Sequence, residues 1–255
     1  MTVVSPAWLD LREPADAAAR SEALPARLAR HLPTSGLVVH DLGGGSGAMG
    51  RWLAPRLPWP QRWVVHDRDA GLLELAVADP PAATTVTVEA RTSDIARLTA
   101  IDLAGADLVV ASALLDLLTG DELVAMLGAC EGCPLLLALT VVGRLALTPA
   151  DPLDAALAAA FDDHQRRGRL LGPDAVGAAI DALDGTVVVR PSPWRLGPAH
   201  AELTAAWLDG WVAAATEQEP ALVEAAGAYR ERRLEQLAAG ELAVVVDHAD
   251  LLALP

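Results

Sequence analysis

The chain has 255 residues, 53% of them apolar and 21% charged, which is enough for a packed core and unlike a disordered protein. Its 34 acidic and 19 basic residues give a net charge of −15, which disfavours nucleic acids and anionic membrane surfaces as partners. Every apolar run is shorter than the roughly 18 residues of a membrane span, and the first residues lack the pattern of a signal peptide, so we expect a cytoplasmic protein.

The basic residues are all arginines, and the chain contains neither Lys nor Asn. Schiff-base chemistry and a phosphate-binding loop with its lysine are therefore excluded. Cys130 and Cys133 form a C-x-x-C pair before an apolar run, and no second pair completes a zinc site. We predict unreactive thiols and no metal.

The first 30 residues are rich in Ala, Leu and Arg at helical spacing, which predicts two helices with breaks at Pro14 and Pro25. Short apolar runs then alternate with helical segments. Strands that are apolar on both faces and alternate with helices are typical of a parallel sheet covered by helices. The predicted strands are residues 36–41, 62–67, 85–90, 106–112, 134–142, 186–190 and 242–247.

Beyond residue 148 the pattern becomes mainly helical. Asp151 and Pro152 are predicted to start a helix that ends near His164, and further helices are expected at 173–182, 198–217 and 220–238. The expected fold is α/β: a Rossmann-like, mostly parallel seven-stranded sheet with helices on both faces, N-terminal helices and a helical insertion before the last strand. Residues 1–255 are predicted to form one domain, with a helical cap (1–30), a cofactor-binding core (36–148) and acceptor-side helices with the last two strands (149–255).

A glycine-rich loop follows the first strand. Glycines allow a sharp turn and close approach of a ligand, and the next helix offers unpaired N–H groups. The segment from Gly45 to Gly50 also fits the G-x-G-x-x-G dinucleotide fingerprint, and a tight turn without a ligand is the structural alternative. However, Asp41 and Leu42 separate the apolar run from the first glycine. A carboxylate there would repel a pyrophosphate and suits a cationic ligand.

The spacing acid-x-Gly-x-Gly-x-Gly, at Asp41, Gly43, Gly45 and Gly47, resembles the first motif of the class I S-adenosylmethionine-dependent methyltransferases. The resemblance covers residues 36–142 and includes Asp67, Asp94 and the segment ADLVVASALLD. The blocks 161–175 and 190–198 are similar to uncharacterised bacterial members. The resemblance implies a methyltransferase that uses S-adenosylmethionine, releases S-adenosylhomocysteine and acts on a small molecule.

The resemblance also implies roles for individual residues. The three glycines would shape the loop under the cofactor, with Asp41 orienting that loop or its water near the amino group, and Asp67 would accept hydrogen bonds from the ribose hydroxyls. Asp94 would accept from the adenine amino group, while each acid could instead cap a helix. The remaining cofactor contacts would be Arg68 and Ile95 at the adenine faces and Ala111 and Ser112 at the sulfonium and methionine end.

Candidate acceptor residues lie in the second half of the chain. His164 could remove a proton from an acceptor, with Gln165 beside it, although charged groups at a helix end also interact favourably with the helix dipole. Trp207 and Trp211 share a helix face with Leu203, where they could form an aromatic wall or pack a core. His40 and His66 end the first two strands and are expected to be buried.

The acceptor atom, whether oxygen, nitrogen or carbon, stays open. The fourth strand is followed by ASALLD and not by the Asn/Asp-Pro-Pro-aromatic motif of enzymes that methylate amide or base nitrogens, so those substrates are disfavoured. Two alternatives remain from the sequence. One is an NAD-linked oxidoreductase on a similar sheet, and the other is a non-catalytic methyltransferase-fold subunit that binds a partner.

Overall fold

The apolar runs of the sequence form one central sheet in the structure, a computed structural model that describes residues 5–58, 60–82 and 85–255. Residues 1–4 of the predicted cap lie outside these ranges. The strands are β1 (Leu37–Leu42), β2 (Gln61–Asp67), β3 (Val86–Thr92), β4 (Leu108–Ser112), β5 (Leu135–Thr148), β6 (Thr186–Pro191), β7 (Trp194–Leu196) and β8 (Ala243–Leu254).

The strand order is β3-β2-β1-β4-β5-β8-β6, with β7 also paired to β8. Strands β1 to β5 pair in parallel, whereas β8 runs antiparallel to β5, β6 and β7. The predicted α/β, mostly parallel sheet is confirmed. It has eight strands in the described residues instead of the predicted seven, because the three-residue β7 extends the edge of β8 beyond β6.

Helices cover both faces of the sheet. They are α1 (Pro6–Ala19), α2 (Ala23–Leu28), α3 (Ala48–Leu53), α4 (Ala70–Ala78), α5 (Gly120–Ala129), α6 (Asp154–Gln165), α7 (Ala175–Ala182), α8 (Ala201–Gln218) and α9 (Val223–Ala238), with short 3₁₀ turns between several of them. No helix within the described ranges has both the length and the apolar character needed to cross a membrane.

Two helix boundaries differ from the sequence predictions. Pro14 lies inside α1 and does not break it, and the first two helices separate at residues 20–22, before Pro25. Helix α6 begins at Asp154, later than predicted. Asp151 accepts the backbone N–H of Leu153 and Asp154 accepts that of Asp151, so Asp151 and Pro152 form a turn ahead of the helix.

Apolar side chains form three main buried clusters. One lies between α1 to α3 and the sheet and includes Leu37, Trp63 and Leu252. A second lies on the opposite face, under α5 and α7. The third is formed by α6, α8 and α9 around the extended ends of β5 and β8, and α1 also contributes to it. Helix α1 therefore contacts both the sheet core and the helical core of the second half.

Candidate active site

The glycine loop joins β1 to α3 at the carboxyl end of the parallel strands. Gly43, Gly45 and Gly47 have φ angles of +65°, +53° and +85°, in the left-handed region that glycine adopts without strain. A Cβ on Gly44 would lie 2.6 Å from Val65 Cγ1 and 2.8 Å from the Asp41 carboxylate. The loop is thus a close-fitting backbone cradle lying directly on the Asp41 side chain.

Asp67, at the end of β2, holds the loop in place. Its Oδ2 accepts the backbone N–H of Gly45 at 3.0 Å and its Oδ1 accepts that of Asp69 at 2.9 Å. The N-cap of α4 is Asp69 and not Asp67, so the capping alternative for Asp67 is wrong. Each carboxylate oxygen keeps a further lone pair, which is the arrangement a pair of ribose hydroxyls would need.

Asp94 follows β3 and is exposed. Its Oδ1 accepts the N–H of Ala96 at 3.2 Å and caps a 3₁₀ turn, and its Oδ2 lies 3.4 Å from Arg97 Nε. Ile95 is half-buried in this turn and Arg68 is exposed on the neighbouring loop. The capping alternative is therefore present at Asp94, and its predicted contact with adenine stays a prediction.

Helix α1 covers the loop and the end of β4. Leu9 Cδ1 lies 3.5 Å from the position of a Cβ on Gly45, and Glu13 pairs with Arg51 of α3 at 2.5 Å. Arg20 donates from Nη2 to Ser112 Oγ at 3.0 Å, beside the buried Ala111. The predicted cofactor residues of β1, β2 and β4 are thus brought together under an N-terminal helix.

A buried polar cluster joins α1 to β7 and β8. Arg12 pairs with Asp16 at 2.9 Å, Asp16 accepts the Trp194 indole N–H at 2.9 Å, and the Trp194 ring lies 5.4 Å from the His248 ring. Burial raises the pKa of Asp116 to about 6, opposed by Arg12, and lowers that of His248 to about 4, with Arg12 acting in the same direction.

Asp116 Oδ1 and His248 Nδ1 are buried without a hydrogen-bond partner within the described residues. Sequence reasoning missed this cluster. The signals for it are the four-residue spacing of Arg12 and Asp16 on one helix and the polar residues inside the apolar run of the last strand.

The predicted acceptor residues lie on α6 and α8, in a surface ion pair and in the packed core between helices. His164 Nε2 is 3.2 Å from Glu217 and also contacts Arg167, and Gln165 packs against Gly172. Trp211 is 1% exposed, and its ring lies 5.3 Å from that of Trp207 and 6.2 Å from that of Tyr229. These are contacts of a packed helical core and a surface ion pair, and the acceptor role of these residues stays a prediction.

His40 and His66 form a buried pair beneath the sheet ends. His40 Nδ1 lies 3.0 Å from His66 Nε2, and His66 Nδ1 lies 3.1 Å from Ser93 Oγ. Burial lowers the pKa of each ring to about 4, and His66 adds to the effect on His40. Both imidazoles are therefore neutral at pH 7.

The two cysteines of the C-x-x-C pair are free thiols and follow the C-terminal end of α5. Burial raises the pKa of Cys130 to about 12 and that of Cys133 to about 11, and Cys133 Sγ lies 3.6 Å from the Ala106 carbonyl oxygen. Since the thiolate is the nucleophile, protonated thiols agree with the predicted lack of reactivity.

Comparisons with known proteins identify the fold. No sequence-family model and no curated protein matches the chain. Among solved structures, a candidate type II methyltransferase of Anaeromyxobacter dehalogenans is 16% identical, with 92% of this chain and 97% of that one covered at a TM-score of 0.52.

Two further structures contain bound S-adenosylhomocysteine. An S-adenosylmethionine-dependent methyltransferase of Thiobacillus denitrificans is 16% identical over the whole of both chains, with a TM-score of 0.48. A phosphoethanolamine N-methyltransferase of Haemonchus contortus is 15% identical with a TM-score of 0.45, and this chain spans 62% of its length. With its mostly parallel eight-stranded sheet and the helices around it, the described part of the chain has the fold of the Anaeromyxobacter methyltransferase structure.

Proposed function

We propose that the protein is an S-adenosylmethionine-dependent methyltransferase that acts on a small molecule. The observation that carries this proposal is the left-handed glycine loop, which lies on the buried Asp41 and is bonded through Gly45 to Asp67. The loop stands at the carboxyl end of the parallel strands, where open α/β sheets bind ligands.

The residues present fit the proposed cofactor. Both carboxylate oxygens of Asp41 are buried without a hydrogen-bond partner, which favours a cationic ligand beside the loop. Asp67 would accept the ribose hydroxyls, Asp94 and Ile95 would contact the adenine, and Ser112 would lie at the methionine end. When bound, the cofactor supplies an electrophilic methyl group on a positively charged sulfur.

The acceptor is proposed to bind on the Asp116 side of this site. Asp116 follows Ser112 by four residues in the turn after β4, and its unpartnered oxygen could accept a proton from the acceptor's reacting atom. Trp194 and His248 would add apolar surface and a neutral ring. Orientation of the two reactants supplies most of the catalysis that a methyl transfer needs, so few catalytic side chains are required.

The sheet distinguishes this proposal from an NAD-linked oxidoreductase. Dinucleotide-binding folds have the strand order 3-2-1-4-5-6, whereas here the antiparallel β8 lies between β5 and β6. Together with the acid before the glycine loop, this order favours S-adenosylmethionine over NAD.

Ligand binding measured by thermal unfolding and calorimetry tests the cofactor assignment. We expect S-adenosylhomocysteine to raise the melting temperature because it binds only the folded protein, and NADH to leave it unchanged. Asp67→Ala should weaken S-adenosylhomocysteine binding by about 1.5–3 kcal/mol, the range for hydrogen bonds to a charged group.

Asp69→Ala is the matched control. It removes the α4 cap and should lower the melting temperature of the free protein while leaving the affinity for S-adenosylhomocysteine unchanged. Unchanged affinity in Asp67→Ala, or tight NADH binding by the native protein, would overturn the assignment.

A further inference from the structure

Arg20 is a buried cation whose hydrogen bonds are incomplete. It follows the last residue of α1, and it is buried, with 4% of the residue exposed. Nη2 donates to Ser112 Oγ at 3.0 Å, and the guanidinium lies 5.5 Å from the Trp52 ring. Nε and Nη1 have no partner within the described residues. A buried donor left unpaired is costly, so these two groups are available to an acceptor that binds there.

Asp41 is a buried acid in the same condition. It is 0% exposed, and neither carboxylate oxygen has a hydrogen-bond partner within the described residues. Asp41 pairs in register with Val110 of β4, two residues before the Ser112 that Arg20 contacts, and the two side chains do not hydrogen-bond to each other. Burial raises the pKa of Asp41 to about 7, and the charge of Arg20 opposes this rise. A carboxyl group and a guanidinium, each with hydrogen-bonding positions left open, thus lie at the carboxyl ends of the neighbouring strands β1 and β4.

The other carboxylates around Arg20 are engaged elsewhere. Asp16 accepts from Arg12 and from the Trp194 indole. Asp250 accepts the backbone N–H of Ser21 at 2.7 Å and that of Leu139 at 2.8 Å. Asp250 therefore fixes the end of α1 against the sheet, and neither acid completes the hydrogen bonding of Arg20.

A ligand that complements both side chains carries a carboxylate and an ammonium group on neighbouring atoms. A guanidinium presents parallel N–H donors that match the two oxygens of a carboxylate. A carboxylate in a dry site favours an ammonium group. The α-amino acid zwitterion has both groups on one carbon, and the cofactor of the proposed function ends in one.

We propose that Arg20 binds the α-carboxylate of the methionyl part of the cofactor, while Asp41 receives its ammonium group. This inference rests on the proposed function, and it assigns to α1 a direct part in cofactor binding. Because Ser21 and Glu13 hold α1 to β8 and α3, the guanidinium is positioned before the ligand arrives.

Three adenosine ligands test the proposal by calorimetry: S-adenosylhomocysteine, its decarboxylated analogue, and methylthioadenosine, which lacks the whole amino acid part. The native protein should bind S-adenosylhomocysteine roughly 10-fold to 100-fold more tightly than the decarboxylated analogue, the range expected for a charged hydrogen bond. Arg20→Gln should reduce this ratio to about 1–2 and leave methylthioadenosine binding within about 2-fold. Arg20→Lys should keep part of the ratio.

Arg56→Gln is the matched control, because Arg56 lies over the same Trp52 ring at 4.7 Å and pairs with Glu22 on the surface. It should leave all three affinities unchanged. If Arg20→Gln lowers the affinity for all three ligands equally, the role of Arg20 is purely structural and the proposal is wrong. Equal affinities of the native protein for S-adenosylhomocysteine and its decarboxylated analogue would also overturn the proposal. If the native protein binds none of the three, the proposed function itself fails. Should Arg20→Gln not fold, the native protein's ratio and Arg20→Lys still decide.

Discussion

The His40–His66 pair shows how a buried polar chain fixes proton positions. With Ser93 Oγ donating to the Arg91 carbonyl oxygen at 3.3 Å, the arrangement that satisfies every contact has His66 Nδ1–H donating to Ser93 Oγ. His66 Nε2 then carries a lone pair and accepts a hydrogen bond from His40 Nδ1–H. These hydrogen bonds can all form only while both rings are neutral, which agrees with the lowered pKa values of the two histidines.

This pair predicts acid sensitivity. An ordinary histidine pKa of 6.5 in the unfolded chain and about 4 in the folded protein means that the unfolded state takes up protons first. The stability from neutral rings is present above pH 6.5 and is lost as the pH falls towards 4. Between pH 7 and pH 5 we expect on the order of 2 kcal/mol per ring.

Urea unfolding at several pH values measures the effect. The double variant His40→Leu/His66→Leu should lose less stability than the native protein between pH 7 and pH 5, whereas the surface variant His31→Gln should follow the native curve. Parallel curves for the native protein and the double variant would contradict the assignment.

Sequence reasoning at the residue scale found the strand-end acids but not Arg20. Asp41 and Asp67 follow apolar runs beside glycines, so their position at the sheet edge could be read from local patterns. Arg20 reaches the same place only because α1 folds back across the sheet to β4, and nothing local to it in the sequence records that contact. Asp250 is similar, since it lies inside β8 and bonds a backbone N–H of β5.

Helix α5 begins with a capping box, which makes it a test of local stabilisation. Thr119 Oγ1 accepts the N–H of Glu122 at 3.3 Å, and the Glu122 carboxylate accepts the N–H of Thr119 at 2.8 Å. Two N–H groups of the first turn are thus satisfied by side chains.

Thr119→Ala should destabilise the folded protein by about 1 kcal/mol, because it leaves a first-turn N–H without its side-chain acceptor. Denaturant unfolding at pH 7 measures the loss. Asp121→Asn, an exposed change at the second residue of the same helix, should cost no more than a few tenths of a kcal/mol. Equal effects of the two substitutions would show that the capping contact contributes nothing.

The limits of prediction at the element scale have physical causes. Strands β5 and β8 are longer than predicted. Strand β5 continues past Gly143, and its pairing with β8 shifts in register where polar residues interrupt the apolar sequence. Strand β7 has only three residues, too few for a periodicity to show. Pro14 stays within α1, so the expected break did not occur.

The charge of the whole molecule predicts that it does not bind nucleic acid. The net charge is −15, and the densest arginine groups are neutralised by neighbours. Arg166 pairs with Asp174 and Arg167 with Glu217, while Arg230 and Arg232 pair with Asp209 and Asp151. Phosphate contacts need clustered free cations, which these pairs do not provide.

Filter binding with total tRNA and with single-stranded and duplex DNA at ~50 mM salt tests this expectation, since non-specific binding is strongest at low salt. We expect no retention at micromolar protein. Retention that weakens as salt rises would reveal a basic face and contradict the proposed small-molecule substrate in favour of nucleic acids.

Strand β8 has a consequence for how the molecule opens. Its first half places Val244 in the helical core, and its second half places Leu252 and Leu254 in the sheet core, so one continuous strand belongs to both. Opening either core therefore disturbs the hydrogen bonds of that shared strand. Amide protons in both halves of β8 should therefore exchange with solvent through the same cooperative opening, at one common free energy. Two distinct opening free energies along the strand would mean instead that the helical core opens while the sheet core stays folded.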